Sequence, residues 1–284
     1  MISEKYKNTL FVTDLDGTLI TNDCEIPDRA AEHISLLTGA GVKITYSTAR
    51  TYRTTDRILR DVPAPYPVAL MNGVMIRNVK LGTNAEVCYI DRSVLPTVAD
   101  IILSAGLSPF VYRYTDGELA TCYAEIANTY MADFMDERIV KFGKPFMKVS
   151  SVASACAGGD VIYFALIDEE VRIKKAFEEL KKTGFVGLAC YKSHEADFWY
   201  LEVFSPDASK KNAVNELKRL AGADRLVCFG DNLNDLPMFE ISDECYAPVT
   251  ANGEVKRRAD GLIPPPEDCG VTEKIAQLCG ISLI

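Results

Sequence analysis

Apolar and polar positions follow two rhythms along this chain. Residues 10–12, Leu-Phe-Val, form a short apolar run that predicts a buried strand. Pro27-Asp28 opens a helical pattern through Ile34 and Leu37, which Gly39 and Gly41 close. A strand at 42–46, a helix around 54–59 that ends before Pro63, a strand at 68–71 and a hairpin from 74 to 90 follow. The alternation returns after Ser205. It runs as a helix at 212–220, a strand at 225–229, a helix at 234–240, a strand near 246–249, a helix near 254–259, the apolar pair Leu262-Ile263 and a final helix at 272–279. Alternating strands and helices predict an α/β fold with a parallel sheet and helices on both faces.

Between residues 86 and 203 the texture differs. Residues 93–104 read as a helix, and 110–114 with 119–123 flank Thr115-Asp116-Gly117-Glu118, a hairpin signal. A helix near 126–136 and a strand at 161–167 follow. Asp168 is expected to cap a helix at 169–182 that Gly184 closes. Residues 186–191 and 198–204 read as a closing strand pair, with Phe198, Trp199 and Tyr200 packing on both faces. Helices on one antiparallel sheet make an α+β layer. The expected organisation is a core built from 1–85 and 204–284, with 86–203 inserted into it.

The residues that carry chemistry sit at strand ends. The first strand runs into Thr13-Asp14-Leu15-Asp16-Gly17-Thr18. A strand has a side-chain period of two, so Asp14 and Asp16 start on one face, and Gly17 permits a sharp turn. Two such acids repel unless a cation or a shared proton lies between them, which points to Mg2+ or acid-base chemistry. A second strand, 225–229, runs into Gly230-Asp231-Asn232-Leu233-Asn234-Asp235. Carboxylate and amide oxygens are the hard ligands Mg2+ prefers. One of Asp231, Asn234 and Asp235 is expected to cap the helix that follows.

With these motifs the chain resembles the haloacid dehalogenase superfamily phosphatases of the Cof-type branch, over nearly its whole length. Asp14-Leu15-Asp16-Gly17-Thr18 is similar to the family's first motif and Ser47-Thr48-Ala49-Arg50 to its second. Asn72-Gly73 matches a family strand end, Ser209-Lys210 the third motif, and Gly230-Asp231 through Asn234-Asp235 the fourth. The resemblance implies a Rossmann-like catalytic core with an inserted α/β cap. It implies Asp14 as nucleophile and Asp16 as general acid/base. Thr48, Ala49, Lys210 and Asn234 would bind phosphate, and Asp14, Asp16, Asp231 and Asp235 would hold Mg2+, Asp16 through its main-chain carbonyl. Gly17, Thr18, Arg50, Asn72 and Gly73 would support the site. In the cap, Arg113, Lys192 and His194 are candidates to contact the leaving group. The implied reaction is hydrolysis of a small phosphorylated metabolite, such as a sugar phosphate, through an aspartyl-phosphate. A sugar phosphomutase and a non-catalytic phosphometabolite sensor share enough of the pattern to stay open.

The chain departs from that pattern in three places. Ala49 replaces a glycine, and alanine tolerates positive φ poorly. Lys211 replaces the glycine after Lys210, so either lysine could face the phosphate, with the helical register favouring Lys210. The run Ala247 to Gly253 is a looser match.

Composition changes the picture little. A net charge of -9 argues against nucleic acid or an anionic membrane as partner. The N-terminal residues are polar and resemble no signal peptide, and no apolar run approaches the ~20 residues of a membrane span. The nine cysteines are scattered, with no Cys-x-x-Cys pair, and with two histidines they make a zinc site improbable. The expectation is a cytoplasmic protein, monomer or homodimer, acting on a small phosphorylated molecule.

Overall fold

The computed structural model describes residues 2–193 and 197–283. The candidate His194 lies outside them. The chain divides into two compact units, Met1–Glu86 with Ser209–Ile284, and Val87–Ala208.

The first unit is built on five parallel strands. In spatial order they are Gly261–Ile263, Glu244–Pro248, Arg225–Phe229, Thr9–Thr13 and Lys43–Tyr46. The Thr9–Thr13 strand, flanked on both sides, is buried at every position. Helices cover both faces of such a strand, so its sequence reads as a continuous apolar run rather than an alternation. Leu10, Val12, Leu226, Cys228 and Ala247 pack with Val214 and Leu217 of the Lys210–Leu220 helix. At the strand starts, the Glu244 carboxylate accepts from Tyr6, Lys5, Arg225 and Tyr246 at 2.6–3.1 Å.

The expected strand near 68–71 is Val68–Leu70, and among the described residues it is bridged to the parallel sheet at one point, Ser47 to Ala69. It otherwise belongs to a separate sheet with Met75–Asn78 and Thr83–Val87. Buried Arg77 fixes that sheet: its guanidinium donates to Asp56, to the Gly82 carbonyl and to Asn84. The helix expected at 234–240 is two pieces, a 3-10 turn at Leu233–Asp235 and a short helix at Leu236–Phe239.

The second unit holds a six-stranded sheet in the order Gly187–Lys192, Trp199–Phe204, Val161–Asp168, Phe110–Thr115, Glu118–Tyr123, Phe146–Lys148. Neighbours are antiparallel except the last pair. The Trp199–Phe204 strand pairs through Phe204, so a boundary after 203 falls inside a strand. Two elements were not expected, Phe146–Lys148 and the helix Val152–Ala157, which Ser151 and Ser154 close with a capping box. The helix expected to begin near 126 starts after Asn128, whose side chain accepts from the Met131 N–H at 2.8 Å. Asp168 ends its strand, and Glu169 occupies the helix cap position in its place. The Asp168 carboxylate still takes the Glu169 N–H at 2.8 Å.

Candidate active site

The site of the first unit lies where the parallel strands Thr9–Thr13, Arg225–Phe229 and Lys43–Tyr46 end, the position where open α/β sheets bind ligands. Asp14 follows the Thr9–Thr13 strand, and its N–H continues the ladder to the Phe229 carbonyl at 2.9 Å. The strand then ends, and the N–H groups of Thr18, Leu19 and Ile20 all converge on the Leu15 carbonyl. This turn breaks the period of two. Asp14 is buried, whereas the Asp16 side chain is 51% exposed.

Asp14, Asp231 and Asp235 form one buried group whose carboxylate oxygens lie within 4.8 Å of one another. Gly17 makes the approach possible. Its φ is +68°, and a Cβ there would lie 2.6 Å from Asp231 Oδ2. Thr18 Oγ1 donates to Asp231 Oδ1 at 3.2 Å.

The counter-charge is Lys210. Its ammonium donates to Asp14 Oδ1 at 2.8 Å and to Asp235 Oδ1 at 2.6 Å, with the side chain 1% exposed. Lys211 is on the surface, 3.4 Å from Glu240. That decides which of the two lysines belongs to the site. Burial alone would lower the Lys210 pKa, but Asp14 and Asp235 hold it above the ordinary lysine value. Burial pushes the Asp14 carboxyl well above the usual carboxylate range; Lys210 opposes this, and Asp235, Asp231 and Asp16 reinforce it.

Three buried carboxylates with one ammonium suit a divalent cation, by charge and by donor type. Asp235 is the most committed of the three. One oxygen holds Lys210, and the other takes the N–H groups of Asp231 and Asn232 at 2.9 and 3.0 Å. A cation would therefore meet Asp14 and Asp231 first. The Asp16 carboxylate stands apart from the group and is paired with Arg50. The cap of the following turn is Asn232, whose Oδ1 accepts from the Leu233 N–H, with Asp235 closing the box. The Asn-x-x-Asp spacing is the sequence signal for that box. At the Leu236–Phe239 helix that follows, Asp235, one of the three residues expected to cap it, occupies the cap position without a side-chain capping hydrogen bond.

The second strand end adds a hydroxyl. The Thr48 N–H donates to the Ala69 carbonyl, and its Oγ1 accepts from the Arg50 N–H at 3.2 Å. Ala49 is not among the residues with positive φ, so the alanine is accommodated without strain. Asn72 is left-handed at φ 56°; its N–H reaches the Thr48 carbonyl, and its Oδ1 accepts from Asn234 Nδ2 at 3.1 Å. A Cβ on Gly73 would lie 2.3 Å from the Ser209 carbonyl oxygen, so Gly73 lets the residue before Lys210 sit directly against this loop. Ser209 in turn caps the Lys210 helix through the Asn212 N–H, a supporting role that sequence reading left out of the site.

Two of the candidates in the second unit, Arg113 and Lys192, have local partners. Arg113 donates to the Ala155 carbonyl at 3.4 Å, and its guanidinium fills the space beside Gly158. Lys192 pairs with Asp197 at 2.8 Å, both exposed.

Residues 11–275 match the haloacid dehalogenase-like hydrolase family. The chain belongs to that family. Among curated relatives, this hydrolase is 26% identical to the 5-amino-6-(5-phospho-D-ribitylamino)uracil phosphatase YwtE of Bacillus subtilis, over 93% of this chain and 96% of that protein. Its fold is similar to that of a haloacid dehalogenase-like hydrolase from B. subtilis, with a TM-score of 0.79 at 17% identity, covering 95% of this chain and 99% of the other. It is also similar to the phosphatase BT1666 from Bacteroides thetaiotaomicron, with a TM-score of 0.77 at 16% identity, covering 99% and 97%. The hydrolase has no described helix long and apolar enough to cross a membrane.

Proposed function

We propose that this hydrolase is a Mg2+-dependent phosphatase that cleaves a small phosphorylated metabolite, a sugar phosphate or similar phosphomonoester, through an aspartyl-phosphate on Asp14. The observation that carries the reading is the buried Lys210 ammonium, 2.8 Å from the Asp14 carboxylate and within the Asp231–Asp235 group. A buried carboxylate beside a fixed ammonium can attack phosphorus while the charge that develops on the transferred oxygens is neutralised.

Asp14 forms the new bond to phosphorus as the bond to the leaving oxygen breaks. Asp16 gives that oxygen a proton. It then takes a proton from the water that attacks the aspartyl-phosphate, which releases inorganic phosphate and restores Asp14. Lys210 and the Thr48 hydroxyl hold phosphoryl oxygens. Thr48 Oγ1 accepts from the Arg50 N–H, which leaves its own hydrogen to donate. Asn234 uses one amide hydrogen on Asn72 and keeps the other for phosphate, together with the Ala49 main chain. Asp14, Asp231 and the Asp16 main-chain carbonyl would hold Mg2+, which would supply positive charge to the phosphoryl group and favour the ionised form of Asp14.

We assign the first unit as the catalytic core and the second as the cap that selects the leaving group. The YwtE relative is named for a phosphorylated ribityl compound, which supports a small polyol or sugar phosphomonoester as the substrate class. The net charge of -9, the absence of any disulfide among the nine cysteines and the small substrate support a cytoplasmic enzyme.

Release of inorganic phosphate from a panel of phosphometabolites, with and without Mg2+, tests the reading. Release should require Mg2+ and fall by about 10³-fold or more in Asp14→Asn. An active Asp14→Asn protein would overturn the mechanism. Isomerisation of a hexose phosphate without phosphate release would point to the mutase, and tight binding without turnover to a sensor.

A further inference from the structure

Arg50 makes more connections between parts of the site than any role so far assigned to it requires. Its Nε donates to Asp16 Oδ2 at 2.8 Å and its Nη2 to Asp16 Oδ1 at 2.6 Å, a two-pronged pair that uses both carboxylate oxygens. The same Nη2 lies 2.9 Å from Cys24 Sγ, in the segment after the first motif. The Arg50 N–H donates to Thr48 Oγ1, and its carbonyl accepts from the Met71 N–H at 3.1 Å. One residue thus joins the candidate acid, the phosphate hydroxyl and the loop carrying Asn72.

The two partners differ in freedom. The Arg50 side chain is 8% exposed, whereas that of Asp16 is 51% exposed. An exposed carboxylate left alone would sample several rotamers, and ordering it costs conformational entropy. The planar guanidinium is held by packing and by Cys24, so the fork fixes both oxygens of Asp16 at once. Burial opposes the Arg50 charge, but Asp16 more than offsets this, so the cation persists.

We infer that Arg50 is a positioning residue that sets the direction of the Asp16 carboxylate for proton delivery to the leaving oxygen. The inference rests on the phosphatase reading. It makes a distinction that a merely structural role would not. As the Asp14 oxygen bonds to phosphorus, the phosphorus–oxygen bond to the leaving group breaks. A 4-nitrophenolate departs without a proton, whereas a benzyl alkoxide must receive one. Misplacing Asp16 therefore slows formation of the aspartyl-phosphate, which kcat/KM reads, from the second ester and largely spares it from the first; its hydrolysis, which also uses Asp16, is common to both esters and enters only kcat.

The test compares kcat/KM for benzyl phosphate and 4-nitrophenyl phosphate in the wild type, Arg50→Lys and Arg50→Met, each checked by its melting curve. Lysine keeps the charge and loses the fork. For both variants the benzyl ester should lose about 10–100-fold in kcat/KM and the 4-nitrophenyl ester about 3-fold at most. In an Asp16→Asn background, Arg50→Lys should cost the benzyl ester nothing further, because the two act as one unit. Equal losses on both esters, or full activity of Arg50→Lys on benzyl phosphate, would overturn the inference. A wild-type enzyme inert towards both esters would overturn the phosphatase reading itself.

Discussion

Gly73→Ala and Gly41→Ala form a matched pair that separates backbone strain from steric contact. The two glycines have nearly the same backbone, with φ +94° and +90°. A Cβ on Gly41 meets nothing within 4 Å, whereas one on Gly73 would lie 2.3 Å from the Ser209 carbonyl oxygen and 2.6 Å from its carbon. Both substitutions incur the left-handed penalty, about 1–2 kcal/mol. At Gly73 the Ser209 main chain must also retreat by roughly 1 Å, which adds overpacking strain of about 1–3 kcal/mol. Ser209 caps the Lys210 helix, so loosening that cap adds about 1 kcal/mol. The expected losses are about 3–6 kcal/mol for Gly73→Ala and about 1–2 kcal/mol for Gly41→Ala, read from urea melts by circular dichroism at unchanged slope. Because Lys210 follows Ser209, the same shift should cut phosphate release about 100-fold in Gly73→Ala, with little change in Gly41→Ala. Equal midpoint shifts for the two variants would refute the steric argument.

Lys210→Met should lower phosphate release by about 10²–10³-fold and destabilise the metal-free protein by about 3–5 kcal/mol, because the buried acids lose their counter-charge. Lys211→Ala should change either property by little, a surface pair contributing about 0–1 kcal/mol; a large loss in Lys211→Ala would reverse the assignment of the two lysines. Burial alone would raise the Glu244 pKa, but hydrogen bonds from Lys5, Tyr246, Arg225 and Tyr6 bring it down to about 2 from an ordinary 4.5. A depressed carboxylate pKa contributes stability that is present above pH 4.5 and lost as pH falls towards 2. After discount for partial exposure this is about 2 kcal/mol. Glu244→Gln should be less stable by that amount at pH 7, and the gap should close across that window in pH-dependent melts; a gap independent of pH would contradict the linkage.

The order of strands and helices in the first unit was legible because each element has one dominant signal, such as the all-apolar Leu10-Phe11-Val12 or the Pro27-Asp28 start. The residues that meet at the strand ends were legible for the same reason, since Asp14, Thr48, Lys210 and Asp231 each follow or begin such an element. What happens beyond a strand end was not. The period of two has no force once the Thr18, Leu19 and Ile20 amides fold onto Leu15, so the different burial of Asp14 and Asp16 could not be read from spacing. The Arg50–Asp16 fork joins residues 34 positions apart, and no local pattern encodes such a distance. The helix Val152–Ala157 escaped because six residues rich in alanine and serine carry little amphipathic contrast. The three-residue strand Phe146–Lys148 gives alternation too little length to show.

The chain order of the catalytic sheet has a consequence for how the protein is made. Lys210 lies 196 residues after Asp14. At a synthesis rate of about 5–20 residues per second, roughly 10–40 s separate the appearance of the two. Throughout that interval the Thr9–Thr13 strand lacks its Arg225–Phe229 neighbour and presents an apolar, unpaired edge. The 87–208 unit is continuous in sequence and can complete its own sheet while that edge waits. Nascent chains stalled between residues 90 and 220 should therefore be the aggregation-prone species, and the hazard should end only once the Glu244–Pro248 and Gly261–Ile263 strands have followed.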